Sequence, residues 1–306
     1  MSDSRTVFIT GGSGLLALNW ALSIRDNSTV TLGMHQRNIS LKDVDTCQCS
    51  LNSVDSIQST FEKIKPELVI HTAGLTSVEK CESDPDLAHY ANVEIAVNMA
   101  KACSLLEIPL VHISTDHLFS GEESCVEEDQ PVSPVNMYGK TKAEAESLVL
   151  DIYPEALVVR TNFYGWGPNY RRSFSDVILD SLSDNREIML FEDVFYTPII
   201  ISKLAETVMK LVSMDQKGIF HVVGNERLSK YEFGQEIANQ FGLDSGLIKS
   251  GHLSDRRGLV KRPLDMSLSN KKVSHVLGEN LGGVNEHLQL LVNQKVDNSY
   301  DRIISS

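Results

Sequence analysis

Thr10-Gly11-Gly12-Ser13-Gly14-Leu15-Leu16-Ala17 follows directly on a strand-like stretch, Thr6–Thr10, and runs into a helix-like one, Leu15–Arg25. Such a joint suits a phosphate. Gly11 lets the chain turn sharply, Gly14 lets backbone approach a pyrophosphate, and small Ala17 permits close packing of helix on strand. The first helical turn then offers its unpaired N–H groups, those of Ser13, Gly14 and Leu15 among them, to the anion. A lone glycine-rich turn is weak evidence, since any tight turn of this kind favours glycine. Its place at the opening of a βαβ unit gives it weight.

From this turn outward the first half of the chain alternates short apolar runs with longer amphipathic segments. Strands are expected at Thr6–Thr10, Val30–Gly33, Asp45–Cys49, Leu68–Thr72, Leu110–Ser114 and Ala156–Arg160. Helices are expected at Leu15–Arg25, Val54–Lys65, Asp86–Leu106 and Met137–Asp151, long enough for right-handed crossovers. This pattern predicts an α/β fold: a Rossmann-type, doubly wound parallel sheet with helices on both faces. After Thr161 the rhythm breaks into a loop rich in Gly, Pro and Tyr (Tyr164–Tyr170), a helix at Phe174–Ser183 and a mixed segment, Leu190–Ile201. A helix at Ser202–Val212, a strand at Gly218–Val223 and a helix from Ser229 to Phe241, with Ser229 as N-cap, follow. The expected division is a dinucleotide-binding, catalytic domain over residues 1–161 and a smaller C-terminal substrate-binding lobe over 162–306, partly interleaved with the first. The lobe would close over the carboxyl ends of the strands, where open α/β sheets bind ligands. The tail from about Val296 is polar and expected to be loosely held.

Composition narrows the function. A formal net charge of -13 disfavours nucleic acid and anionic lipid as partners, because both are held mainly through Lys and Arg. The polar opening, Met1 to Arg5, lacks the features of a signal peptide, and no apolar run is long enough to span a bilayer, so a cytoplasmic location is expected. Five cysteines, an odd number, fit a reducing compartment. Cys47 and Cys49 form a C-x-C pair with no second pair at zinc spacing, so no metal site is expected. An acidic chain that binds phosphorylated ligands must concentrate its cations, which singles out Arg37, Lys142, Arg160, Lys261 and Arg262.

The end of the second strand distinguishes the two nicotinamide dinucleotides. A carboxylate there would bind a ribose 2′-OH, whereas a cation suits a 2′-phosphate. Here it reads Leu32-Gly33-Met34-His35-Gln36-Arg37, without a carboxylate. His35 and Arg37 therefore favour NADP(H), with NAD(H) as the alternative.

The strongest chemical signal is Tyr138-Gly139-Lys140-Thr141-Lys142 at the start of a helix, with Ser114-Thr115-Asp116 at the end of a strand before it. Spacing of i and i+4 puts Tyr138 and Lys142 on one helical face, where an ammonium is expected to lower the phenol's pKa. With the glycine-rich turn, His71-Thr72-Ala73-Gly74-Leu75-Thr76, Ser114-Thr115-Asp116-His117-Leu118-Phe119 and Arg262-Pro263, the whole chain resembles the extended short-chain dehydrogenase/reductase family. Within that family it looks like the dTDP-4-dehydrorhamnose reductase branch.

The resemblance implies Thr115, Tyr138 and Lys142 as the catalytic group and Asn92 as the family's structural Asn. It implies a cofactor site at Gly11, Ser13, Gly14, Leu15, His35, Arg37, Ala73, Gly74, Tyr138 and Lys142. The implied substrate site comprises Thr76, Thr115, Asp116, Phe163, Tyr196 and Arg262. It further implies reduction of a 4-keto nucleotide-sugar and a homodimer. The chain departs from the branch at His117, at Thr161-Asn162-Phe163-Tyr164 where a Trp is common, and around Asp193–Pro198. Asp116-His117 lacks the Asp-Glu pair of sugar dehydratases. A 4-epimerase uses the same three groups and stays open. Gly224-Asn225-Glu226-Arg227-Leu228-Ser229-Lys230-Tyr231 is similar to the regulatory β subunit of methionine adenosyltransferase, which keeps a non-catalytic, NADP-binding subunit open as well.

Overall fold

The computed structural model describes residues 5–256 and 258–296; the start before Arg5 and the polar tail after Val296 lie outside the described residues. Six parallel strands appear in the first half: β1 (Arg5–Ile9), β2 (Ser28–Met34), β3 (Asp45–Gln48), β4 (Leu68–His71), β5 (Leu110–Ile113) and β6 (Leu157–Arg160). Seven short strands follow among the described residues: β7 (Phe163–Tyr164), β8 (Ile188–Phe191), β9 (Phe195–Tyr196), β10 (Ile199–Ile200), β11 (Gly218–His221), β12 (Leu228–Ser229) and β13 (Ile248–Gly251). The main sheet runs β11-β6-β5-β4-β1-β2-β3. Its order reverses between β1 and β4, the place where such folds hold a ligand beyond the strand ends.

Period-two patterning explains why the sheet is covered on both faces. Val7, Ile9, Leu68, Ile70, Val111 and Ile113 belong to one core cluster, whereas their neighbours Phe8, Val69 and Leu110 belong to the other. Helices α1 (Leu15–Ile24) and α8 (Ile201–Ser213) pack together and feed Trp20, Leu18 and Leu204 into the first cluster. Helices α2 (Val54–Ile64), α5 (Ile95–Leu105) and α6 (Met137–Ile152) cover the other face with Phe61, Met99 and Val149. Phe8 fills its side only because Gly33 has no side chain: a Cβ there would stand 2.6 Å from the Phe8 ring.

Every expected main-sheet strand is present, with ends differing by one or two residues. The expected single helix Asp86–Leu106 is continuous but carries a π turn within it. It consists of α4 (Pro85–His89), one π-helical turn at Tyr90–Glu94 and then α5, and it is preceded by α3 (Val78–Ser83), which periodicity had not revealed. The extra residue of a π turn has a local reason. It holds buried Asn92 where its Oδ1 accepts from Leu75 N (2.7 Å) and its Nδ2 donates to Thr141 Oγ1 (3.0 Å).

Beyond β6 the chain crosses back and forth. β11 rejoins the main sheet beside β6, while β9 pairs with Leu228–Ser229 and β8 with Ile248–Gly251. Helix α7 (Phe174–Ser183) begins with a capping box made by Ser173 and Asp176. Helix α9 (Lys230–Phe241) begins likewise, Ser229 accepting from Glu232 N and Glu232 accepting from Ser229 N. Ser229 is the N-cap that the sequence indicates.

Candidate active site

The carboxyl ends of β1, β4, β5 and β6 open into a cleft of about 710 Å³, which Gly11, Ser13, Gly14, Leu15, His35 and Arg37 line at one end. The turn between β1 and α1 is shaped by exclusion. Gly11 adopts φ +68°, and a Cβ on Gly12 would lie 2.7 Å from Met34 Sδ. No side chain caps α1 at Gly14, so the donors of its first turn stay available. Uncapped amides, a left-handed glycine and a cleft leading away from them fit the pyrophosphate of a dinucleotide. Ala73 and Gly74, expected cofactor neighbours, line the same cleft. A Cβ on Gly74 would come 2.9 Å from Asn92 Oδ1, so the π turn and this glycine fit each other.

Thr115, Asp116, Tyr138 and Lys142 line the middle of the cleft. Asn136 starts α6 by accepting from Gly139 N (2.9 Å), and its Nδ2 donates to Lys261 O (3.0 Å). A Cβ on Gly139 would collide with His117 O, so glycine is what lets the helix reach the end of β5. That approach brings Tyr138 to the strand-end residues, its ring edge-on to His117 at 5.5 Å between centroids. Burial pushes the Tyr138 phenol up to about 12, while a hydrogen bond with Thr115 pulls it the other way. The expected lowering by Lys142 is not found, because that ammonium is turned away: Nζ donates to Ile113 O (2.8 Å) and lies 3.4 Å from His112 Nε2. Burial in turn lowers Lys142 to about 8.

Behind Lys142 stands a buried polar column. His112 stacks on His71 at 5.5 Å, and His71 Nδ1 is 2.9 Å from Thr10 Oγ1. The Thr10 hydroxyl already accepts from the N–H groups of Thr72 (3.0 Å) and Ala73 (3.1 Å). Its own proton therefore goes to His71 Nδ1, which leaves the His71 proton on Nε2. Desolvation keeps both imidazoles neutral, lowering His71 to about 3 and His112 well below its usual value. The column ties the residue that opens the glycine-rich turn to Lys142.

The other expected residues are spread more widely. Thr76 and Phe163 line the cleft, and Asp116 does so with both oxygens engaged, one by Thr115 Oγ1 (3.2 Å) and one by Asn162 Nδ2 (2.5 Å). Arg37 lines it too, its guanidinium 3.8 Å above the Tyr170 ring. Tyr196 and Arg262 are not part of its lining. Tyr196 is buried with its hydroxyl unpartnered, and Arg262 pairs with Glu79 while its Nε is buried without a partner. Of the remaining cations, Arg160 is committed to a buried, two-pronged pair with Glu146 (2.8–3.1 Å) beneath the sheet's end. Lys261 is exposed.

Two groups were not singled out from sequence. Arg171 lines the cleft and donates to Thr76 Oγ1 (2.7 Å), and its neighbour Tyr170 donates to Ser13 O (3.0 Å). Together they fasten the Gly-Pro-Tyr loop across the cofactor end. The visible signal was the pair Arg171-Arg172 closing that loop.

A model of the RmlD substrate binding domain matches residues 5–296, nearly the whole chain. The chain belongs to this family. Its members carry the extended short-chain dehydrogenase/reductase architecture to which the motifs point. Among curated relatives, the chain is 30% identical over 280 residues to the probable low-salt glycan biosynthesis reductase Agl14 of Haloferax volcanii, a match covering 89% of this chain and 91% of that one. It is 29% identical over 280 residues to the methionine adenosyltransferase 2 subunit beta of Xenopus laevis, covering 88% and 82%. Among solved structures, the dTDP-4-dehydrorhamnose reductase of Clostridium acetobutylicum superposes with a TM-score of 0.79 at 27% identity, covering 94% of this chain and 99% of that one. The Bacillus anthracis dTDP-4-dehydrorhamnose reductase, solved with NADP, shares the fold at a TM-score of 0.81 and 23% identity, covering 95% and 99%.

Proposed function

We propose that this family member is an NADP(H)-dependent reductase of a 4-keto nucleotide-sugar. The observation that carries the reading is one continuous cleft with an uncapped, glycine-shaped turn at one end and Thr115, Tyr138 and Lys142 at its middle. When bound, the dinucleotide supplies the hydride. The protein supplies a proton and placement.

As negative charge grows on the substrate's carbonyl oxygen, Tyr138 donates its phenolic proton there; a phenol near 12 is fully protonated at neutral pH and so ready to give it. Thr115 donates to the same oxygen and aligns it. Lys142, whose ammonium rests on the Ile113 carbonyl, binds the nicotinamide ribose. Asp116, held by Asn162, takes sugar hydroxyls; Thr76 and Phe163 flank the sugar. His35 and Arg37 hold the ribose 2′-phosphate, which favours NADP(H) over NAD(H). Arg262 reaches the substrate pyrophosphate if Glu79 yields it.

The test is stoichiometry. A reductase consumes one NADPH per 4-keto nucleotide-sugar, and an epimerase interconverts sugars with no net consumption. A second reading has one observation in its favour, the 29% identity to a methionine adenosyltransferase subunit. It predicts NADPH binding without turnover of any such sugar, together with capture of an adenosyltransferase catalytic subunit.

A further inference from the structure

Lys230 is the cation that the proposed reaction leaves unused. It is the first residue of α9, and its ammonium lies 3.2 Å from the ring centre of Tyr196 and 4.8 Å from that of Phe174. Among the described residues it has neither a hydrogen-bond acceptor nor an ion-pair partner. The residue is half-buried, and two aromatic faces stabilise a cation only in part, so its ammonium is left without an oxygen acceptor from the protein. Burial accordingly lowers its pKa to about 8, against the attraction of Asp116.

The surroundings supply donors in excess. Asp116 is the nearby carboxylate, but its oxygens are engaged by Thr115 and Asn162. Arg262 and Lys230 both act electrostatically on His117, which lines the cleft and whose Nδ1 is buried without a partner. Arg262 Nε and the Tyr196 hydroxyl are likewise buried and unpartnered. Unpaired buried polar atoms beside a half-buried ammonium are matched by an anion with several oxygens, and a neutral ligand would leave the ammonium uncompensated.

We infer that Lys230, with Arg262 and His117, forms a subsite for an anionic group of the substrate near Asp116. The inference rests on the nucleotide-sugar reading. A carboxylate on the sugar ring and the pyrophosphate itself share the required chemistry, so the test separates them.

Isothermal titration of the NADP⁺-saturated protein with UDP-glucuronate, UDP-glucose and UDP, for wild type, Lys230→Met and Lys230→Arg, decides the matter. If the sugar carboxylate is the ligand, Lys230→Met weakens UDP-glucuronate about tenfold or more, as loss of a charge-assisted contact implies, and leaves UDP-glucose and UDP unchanged. If the pyrophosphate is the ligand, all three weaken by that factor. In either case Lys230→Arg restores most of the affinity, and NADP⁺ binding is unchanged in both variants, which shows that they are folded. Two results overturn the subsite: no affinity moving by more than about twofold, or the two sugars weakening equally while UDP does not. Should no nucleotide bind even the wild type, the nucleotide-sugar reading fails on its own account. Free glucuronate against glucose then judges Lys230: acid binding that Lys230→Met abolishes supports the subsite, and none overturns it.

Discussion

The wall of the cleft that bears Thr115, Tyr138 and Lys142 and the wall that faces it from Phe163 to Arg171 are built differently. On the first, side chains are set by a buried strand end and a helix start: Asn136 caps α6, Gly139 admits it against His117, and Lys142 rests on the Ile113 carbonyl. On the second, placement depends on an irregular loop fastened by single bonds, Tyr170 to Ser13 and Arg171 to Thr76, and on Arg37 lying against Tyr170. Rigid packing fixes where chemistry happens; tethered loops and long cations select what enters. The contrast predicts that changes on the first wall strike turnover and changes on the second strike affinity.

The largest expected effect is on the first wall. Tyr138→Phe keeps the ring and removes the proton donor, so turnover should fall about 100-fold or more while NADPH affinity stays near wild type. Single-turnover kinetics alongside a binding titration checks this, and near-normal reduction would remove Tyr138 as the acid.

Outside the cleft's lining, Arg262→Ala should raise the Michaelis constant for the nucleotide-sugar about tenfold and leave NADPH binding alone, since the dinucleotide pyrophosphate belongs at the Gly11 turn. Because Arg262 is already paired with Glu79, the same rise should not follow from Glu79→Gln. Equal losses in both variants would make the pair a structural brace.

A comparable effect should appear with pH. Lys142 stands near 8, below its usual value, so its ammonium is lost as pH rises through that region. kcat/KM should hold below about pH 8 and fall roughly tenfold per unit well above it, because deprotonation removes the charged donor that holds the nicotinamide ribose. A profile flat to pH 10 would show that the ammonium is not required.

The smallest effect belongs to Arg37, an exposed cation. Arg37→Ala should weaken NADPH a few-fold and NADH hardly at all, on the scale of a solvent-screened ion pair of about 1 kcal/mol. Equal losses for the two dinucleotides would reduce Arg37 to a prop for Tyr170.

What sequence could and could not disclose follows the same division. The sheet was legible because both its faces are covered and its inner strands, such as Leu68–His71 and Leu157–Arg160, are mostly apolar runs, and the turn at Gly11 was legible because glycine spacing encodes its shape. The π turn at Asn92 was not, since one extra residue in a helix leaves the apolar periodicity almost intact. Nor was α3, too short to show a period. Lys230 was visible only as part of the stretch Gly224–Tyr231, with no role of its own, because only the fold brings Phe174 and Tyr196, distant in sequence, around it. Arg160 shows the reverse error, a cation flagged for ligand binding that Glu146 had already claimed.

The central claim is that the first wall delivers a proton to a keto-sugar as NADPH is consumed. The most direct measurement follows NADPH absorbance while the wild-type protein is mixed with a 4-keto-6-deoxy nucleotide-sugar, with product sugar quantified in the same sample and Tyr138→Phe run in parallel. The account predicts one NADPH consumed per sugar reduced, with the variant slower by about 100-fold or more. Tight NADPH binding with no consumption, or sugar interconversion without net consumption, would contradict it.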